Sequence, residues 1–142
     1  MKKFKKNIGE IDRLPELARE ILQFTGTKRV FAFHGEMGSG KTTIIKQLCR
    51  QLGSHDNFSS PSYSIVNEYL VEPGEEKIYH IDLYRLKTLD EALTIGIEDY
   101  ISGRNYCFIE WPELIEALLP EDVVNVSIKH EADMREISIF MG

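Results

Sequence analysis

The chain has 142 residues, 42% of them hydrophobic and 28% charged, a length and composition suited to one compact α/β-sized domain, residues 1–142, with a real core. Its net charge of −6 argues against a general nucleic-acid binder, which needs clustered lysine and arginine to neutralise phosphates. No run approaches the roughly 20 apolar residues of a membrane helix, and no hydrophobic stretch follows the basic N-terminus as in a signal peptide, so a soluble cytoplasmic protein is expected.

In chain order, the lysines of Met1-Lys2-Lys3-Phe4-Lys5-Lys6 form the one basic cluster, read as a solvated edge strand or tail, or as a contact to RNA or an acidic partner. Asp12 can cap a helix whose apolar positions Leu14, Leu17, Ala18, Ile21 and Leu22 share one face and which Gly26 closes. Residues 29–34 read as a short buried strand, 35–40 as a glycine loop, and 41–52 as a helix burying Ile44, Ile45, Leu48 and Leu52.

Two β-rich runs, 63–71 and 77–82, flank the turn Glu72-Pro73-Gly74-Glu75-Glu76, which predicts an antiparallel pair. Thr88 and Glu91 have capping-box spacing before a short helix, and 97–101 offers another helical turn ending near Gly103. Residues 106–109 read as a compact strand, 113–119 as a helix stopped by Pro120, and 123–129 with 136–141 as a closing strand pair. The expected architecture is α/β: a three-layer sandwich with a mixed sheet, parallel around the glycine loop and antiparallel elsewhere. Cys49 and Cys107 fall in apolar-periodic segments and read as reduced core residues.

The segment Gly35-Glu36-Met37-Gly38-Ser39-Gly40-Lys41-Thr42 fits G-x-x-x-x-G-K-[ST], a phosphate-binding loop that background frequencies would produce in well under about one chain in a hundred of this length. A strand before it and a helix after it are the context such a loop needs. Glycines let successive backbone N–H groups approach phosphate oxygens. Lys41 is placed to reach the β- and γ-phosphates, the Thr42 hydroxyl to ligate Mg²⁺, and Thr43 with the loop amides to hold the α-phosphate. Residues 35–43 are therefore candidate nucleotide ligands, with ATP as substrate.

Hydrolysis also needs acids to hold the metal shell and align water. Asp82 and Glu110 each end an apolar strand, where α/β ligands bind, and both are candidate catalytic and metal-site residues alongside Lys41; their order of approach to Mg²⁺ stays open. Asp82 can instead cap the next turn, and Glu110 can be a solvated strand end. Ser62, in the polar loop Ser59-Ser60-Pro61-Ser62-Tyr63, is a candidate γ-phosphate sensor or a turn residue. Trp111, the only tryptophan, can stack on a base or fill the sheet edge, and Arg85 can pair with Asp82 or a phosphate. The four histidines are dispersed and receive no chemical role.

The glycine loop, then Ser60-Pro61-Ser62-Tyr63-Ser64, His80-Ile81-Asp82-Leu83-Tyr84-Arg85-Leu86, Gly96-Ile97-Glu98-Asp99-Tyr100 and Ile109-Glu110-Trp111-Pro112-Glu113 resemble the successive motifs of the TsaE family. This is the bacterial ATPase family of tRNA threonylcarbamoyladenosine biosynthesis. The resemblance implies a slow ATPase that works with TsaB and TsaD, which attach threonylcarbamoyl to adenosine 37 of tRNA, and that resets their complex between turnovers without transferring the group itself. It implies Mg²⁺ on Thr42 and Glu110, Asp82 as the Walker-B-like acid, a switch at Ser60 to Ser62, and nucleotide contacts from Trp111 and Glu113. Glu36 and Ser62 depart from the family's usual Asp and Thr; Ser62 keeps the hydroxyl but lacks the methyl that restrains its rotamer.

Other readings of the loop fit less well. A regulatory GTPase would carry an Asn-Lys-x-Asp segment, which is absent, and a small-molecule kinase would carry an arginine-rich lid, whereas the arginines here are spread singly. A nucleotide-gated binding module without turnover shares every feature of the loop.

Overall fold

At the centre of the sheet lies β2 (Val30–His34), whose Val-Phe-Ala-Phe run is buried because parallel neighbours flank both its edges and helices cover both faces. The computed structural model describes residues 2–9, 13–55, 65–71, 74, 76–131 and 133–141. Its other strands are β1 (Lys2–Ile8), β3 (Val66–Leu70), β4 (Lys77–Asp82), β5 (Tyr106–Glu110), β6 (Val124–Glu131) and β7 (Met134–Met141). The helices are α1 (Leu14–Thr25), α2 (Lys41–Gln51), α3 (Leu89–Thr94) and α4 (Ile97–Ile101).

The seven strands run in the order β1-β7-β6-β2-β5-β4-β3. β4, β5, β2 and β6 are parallel to one another, while β3, β7 and β1 add antiparallel edges through the β3–β4, β6–β7 and β1–β7 pairs. The mixed sheet is thus parallel around the glycine loop and hairpin-like at its flanks, as the alternating pattern predicts.

Helices cover both faces. On one, Leu14, Leu17, Ala18 and Ile21 of α1 and Ile44, Ile45 and Leu48 of α2 pack on Phe31, Phe33 and Phe108. Phe108 meets Phe31 and Phe33 edge-on, with ring centroids 5.1 and 5.9 Å apart, a geometry favoured by the ring quadrupoles. On the other face Ala92, Ile97 and Ile115 pack on Val30, Ile81, Cys107 and Ile109. Strand alternation divides Phe108 from Cys107 and Ile109 between the two layers. Both cysteines are free and buried, and burial pushes each thiol up to about 12.

Local signals behave as their chemistry requires. The Gly26 N–H donates to the Leu22 carbonyl as the chain leaves α1 with φ 61°. The Thr88 side chain accepts from the Glu91 N–H while the Glu91 carboxylate accepts from the Thr88 N–H, a complete capping box. The basic N-terminus is an edge strand: Lys6 pairs with Glu20 of α1 at 2.7 Å and Lys5 with Glu136 of β7 at 3.5 Å.

The helix expected over 113–119 is a 3-10 helix, Pro112–Leu118, broken at Ile115 (φ −118°, ψ 20°). It starts abruptly after the left-handed Trp111, is interrupted at Ile115 and turns extended at Leu119 before Pro120, so no uninterrupted α-helical run forms. Leu52 lies just past α2 and is only partly buried. The cap expected at Asp12, the strand start at Tyr63 and most of the turn at 72–76 lie outside the described residues; Arg13 occupies the helix-start position without a side-chain cap.

Candidate functional site

The loop between β2 and α2 bends where glycine is required. Gly38 and Gly40 have φ of 80° and 104°, a region costly for residues with a Cβ. Gly35 is needed for space, because a Cβ there would stand 2.6 Å from Ser39 Oγ and 2.9 Å from the Ile128 carbonyl oxygen. The Ile44 N–H donates to the Gly40 carbonyl and begins α2, so the positive end of the helix dipole faces the loop. Ser39 Oγ is buried with no hydrogen-bond partner among the described residues, an orphan that a bound oxyanion can satisfy.

The acids arrive from the sheet. Asp82 and Glu110 are register partners at the carboxyl ends of β4 and β5, and Glu110 also stands opposite Phe33 of β2. Glu110 is only 4% exposed, and the Thr42 hydroxyl lies 3.1 Å from each of its carboxylate oxygens, donating across both. Asp82 Oδ1 accepts from the Tyr84 N–H at 3.0 Å, so the same side chain caps the following turn and faces the cavity.

Lys41 is 5% exposed. Its ammonium donates to the Gly35 carbonyl at 2.6 Å and lies 3.6 Å from the centre of the Trp111 ring. Burial pulls its pKa below the ordinary lysine value, opposed by the negative charges of Glu110, Glu113 and Asp82. Trp111 holds this place with a left-handed backbone (φ 58°, ψ 57°), unusual for a bulky residue, and its ring packs beside Tyr84 with centroids 5.1 Å apart.

These groups surround a cavity of about 440 Å³. Of the residues singled out in the sequence, Met37, Gly38, Ser39, Gly40, Lys41, Thr42 and Thr43 line it with Asp82, Arg85, Glu110 and Trp111. Gly35 and Glu36 instead line a neighbouring hollow of about 520 Å³ shared with His34 and His130. Glu113 borders neither; its carboxylate is largely exposed, 3.7 Å from His34 Nδ1. Ser62, with the rest of the proposed switch, lies outside the described residues.

Sequence reasoning missed four participants. Ile65, Tyr84 and Arg135 also line the cavity, Arg135 from β7 with its guanidinium 3.3 Å from where a Cβ on Gly40 would stand. His80, passed over among dispersed histidines, is buried and its Nε2 lies 2.6 Å from Glu110 Oε2. A signal for His80 existed: two residues before Asp82 on a strand, it shares that acid's face. Nothing in the spacing pointed to Arg135, which the sheet order brings in from a distant part of the chain.

The Thr42 hydroxyl and Glu110 carboxylate offer the oxygen donors that Mg²⁺ prefers. Among the described residues no group of three or more His, Cys, Asp or Glu could hold a metal, so such an ion would need further oxygens from its ligand or water, the usual arrangement for Mg²⁺ with phosphates. The fold and site together define an α/β protein in which a glycine loop joins the central strand to a helix beside an acid-lined cavity. Comparison narrows this class. The sequence profile described as "Threonylcarbamoyl adenosine biosynthesis protein TsaE" matches residues 8–137. Among relatives of that name, the Haemophilus influenzae protein is 34% identical over 87% of this chain and 78% of its own length. The Bacillus subtilis protein is 32% identical over 97% and 85% respectively. The crystal structure of YdiB from Bacillus subtilis superposes with a TM-score of 0.75 at 29% identity, covering 99% of this chain and 87% of that one. The chain belongs to the TsaE family of tRNA threonylcarbamoyladenosine biosynthesis. No helix among the described residues is long and apolar enough to cross a membrane.

Proposed function

We propose that this protein binds and slowly hydrolyses ATP with Mg²⁺ in the cytoplasm, and that TsaB and TsaD accelerate its turnover during threonylcarbamoylation of adenosine 37 of tRNA. The observation that carries the reading is the meeting of Thr42 Oγ1 with both Glu110 oxygens at the start of α2, beside the buried Lys41.

In this reading the loop amides of residues 35–43 and the helix dipole hold the polyphosphate, and Ser39 Oγ gains the partner it lacks. Lys41 exchanges the Gly35 carbonyl for the β- and γ-phosphates. Thr42 and Glu110 hold the metal, which when bound neutralises and orients the phosphate oxygens. Asp82, opposite Glu110, orients water or the metal's shell, and Arg135 adds a second positive charge across Gly40. Trp111 and Tyr84 offer aromatic surface at the cavity wall. Ser62 stays part of the proposal as the switch hydroxyl, and Glu113 acts through its negative charge on Lys41.

The test is phosphate release from ATP, measured with and without purified TsaB and TsaD. Acceleration by the partners and its loss in Glu110→Ala are expected. Equal rates with and without partners, or full activity in Glu110→Ala, would count against this reading.

A further inference from the structure

Glu110 is held from two sides. Thr42 donates from α2, and a buried histidine meets the same carboxylate from β4. His80 is 6% exposed, and its other ring nitrogen, Nδ1, lies 3.2 Å from the Tyr69 hydroxyl. Tyr69 is itself buried, at 8% exposure, on the edge strand β3. A carboxylate only accepts hydrogen bonds, so the ring's Nε2–H donates to Glu110, and a neutral ring then presents Nδ1 as the acceptor for the Tyr69 O–H.

The geometry points to Tyr69 and His80 as positioning residues that fix the Glu110 carboxylate for the cation it shares with Thr42. The inference rests on the Mg-ATP reading of the cavity. A carboxylate on a strand end has free rotamers, and one oriented only by Thr42 would lose that constraint whenever the hydroxyl turned to a metal. The bond from His80 to Oε2 persists through that exchange, because it comes from a different element, β4, and from a ring held by Tyr69. Partners of metal ligands of this kind typically contribute ten- to a hundredfold to metal affinity. The chain Tyr69–His80–Glu110–Thr42 also links the edge strand β3 to the first turn of α2 through hydrogen bonds that are buried up to Glu110 and open to solvent at the exposed Thr42.

Three variants test it in the full chain: His80→Phe removes both bonds, His80→Gln keeps an N–H donor and a carbonyl acceptor, and Tyr69→Phe removes only the hydroxyl. The primary readout is the Mg²⁺ concentration for half-maximal tightening of ATP binding, by calorimetry, with thermal unfolding as a check on folding. We expect His80→Phe to raise that concentration about tenfold or more, Tyr69→Phe to raise it less, and His80→Gln to restore most of it. Independently of nucleotide, ¹⁵N NMR of the imidazole should show Nε2 protonated in the free protein, with the Nδ1 resonance shifting in Tyr69→Phe as its hydrogen bond is lost. A folded His80→Phe with unchanged Mg²⁺ requirement, while Glu110→Gln is impaired, overturns the positioning role and leaves the ATP reading standing. An unchanged requirement in Glu110→Gln as well overturns both. A ring protonated at Nδ1 alone overturns the tautomer and with it the chain.

Discussion

The ammonium of Lys41 sits over the face of Trp111, 3.6 Å from the ring centre, while donating to the Gly35 carbonyl. Both contacts keep the cation inside the cavity wall, in the place where the proposed function requires it to turn toward phosphate. Since Trp111 is the only tryptophan, its emission reports this one cation. Mg-ATP should change Trp111 fluorescence, and Lys41→Ala should abolish both that response and ATP binding while leaving the far-ultraviolet circular dichroism intact. An unaltered spectrum on saturation with nucleotide would contradict the arrangement.

Burial lowers the pKa of Lys41 from 10.5, which gives alkaline stability a defined sign. Below the folded value both states are protonated and the cost of burying the charge is fully present. Between the folded value and 10.5 the unfolded chain binds the extra proton, so wild-type stability rises with pH; above it the cost is gone. Lys41→Met never carries this cost. Thermal unfolding across alkaline pH should therefore show wild type gaining on Lys41→Met as pH climbs toward 10.5, and a wild type that loses ground over that window would refute the sign.

Gly40→Ala combines a backbone penalty at φ 104° with crowding of the Arg135 guanidinium, 3.3 Å from the new Cβ. It should cost about 1–3 kcal/mol by denaturant unfolding and weaken ATP binding. Gly26→Ala is the control, since its φ is 61° but nothing lies within 4 Å of the new Cβ. There only the left-handed penalty of about 1–2 kcal/mol is expected, with nucleotide affinity unchanged.

Thr88→Ala removes one half of the capping box that opens α3. A loss of about 0.5–2 kcal/mol in chemical denaturation is expected, with the ATPase rate per folded molecule unaffected, because Thr88 borders no part of the cavity. A fall in rate beyond the folded fraction would tie α3 to the site.

Elements whose signal is local were legible in the sequence. Periodic apolar faces predicted α1 and α2, continuous apolar runs predicted β2 and β5, and Thr88 with Glu91 predicted the capped start of α3. The kind of helix after Trp111 was not legible, because helical spacing over seven residues does not distinguish an α-helix from a 3-10 turn when a left-handed residue precedes it and Pro120 follows. The residues that the loop motif names were legible for the same reason, being contiguous.

By itself the sequence determined the glycine loop and its neighbours: glycines at 35, 38 and 40, the lysine and threonine after them, and acids at two strand ends, all set by spacing along one chain. Only the tertiary structure decided which groups meet. Parallel register puts Glu110 opposite Asp82 and beside β2, which delivers it to Thr42 rather than to solvent. The same register turns His80 toward Glu110, the left-handed Trp111 lays its ring against Lys41, and the sheet order carries Arg135 to Gly40. Spacing along a chain sets which face of a strand a side chain takes, whereas distance across strands depends on their order and register, which no single segment encodes.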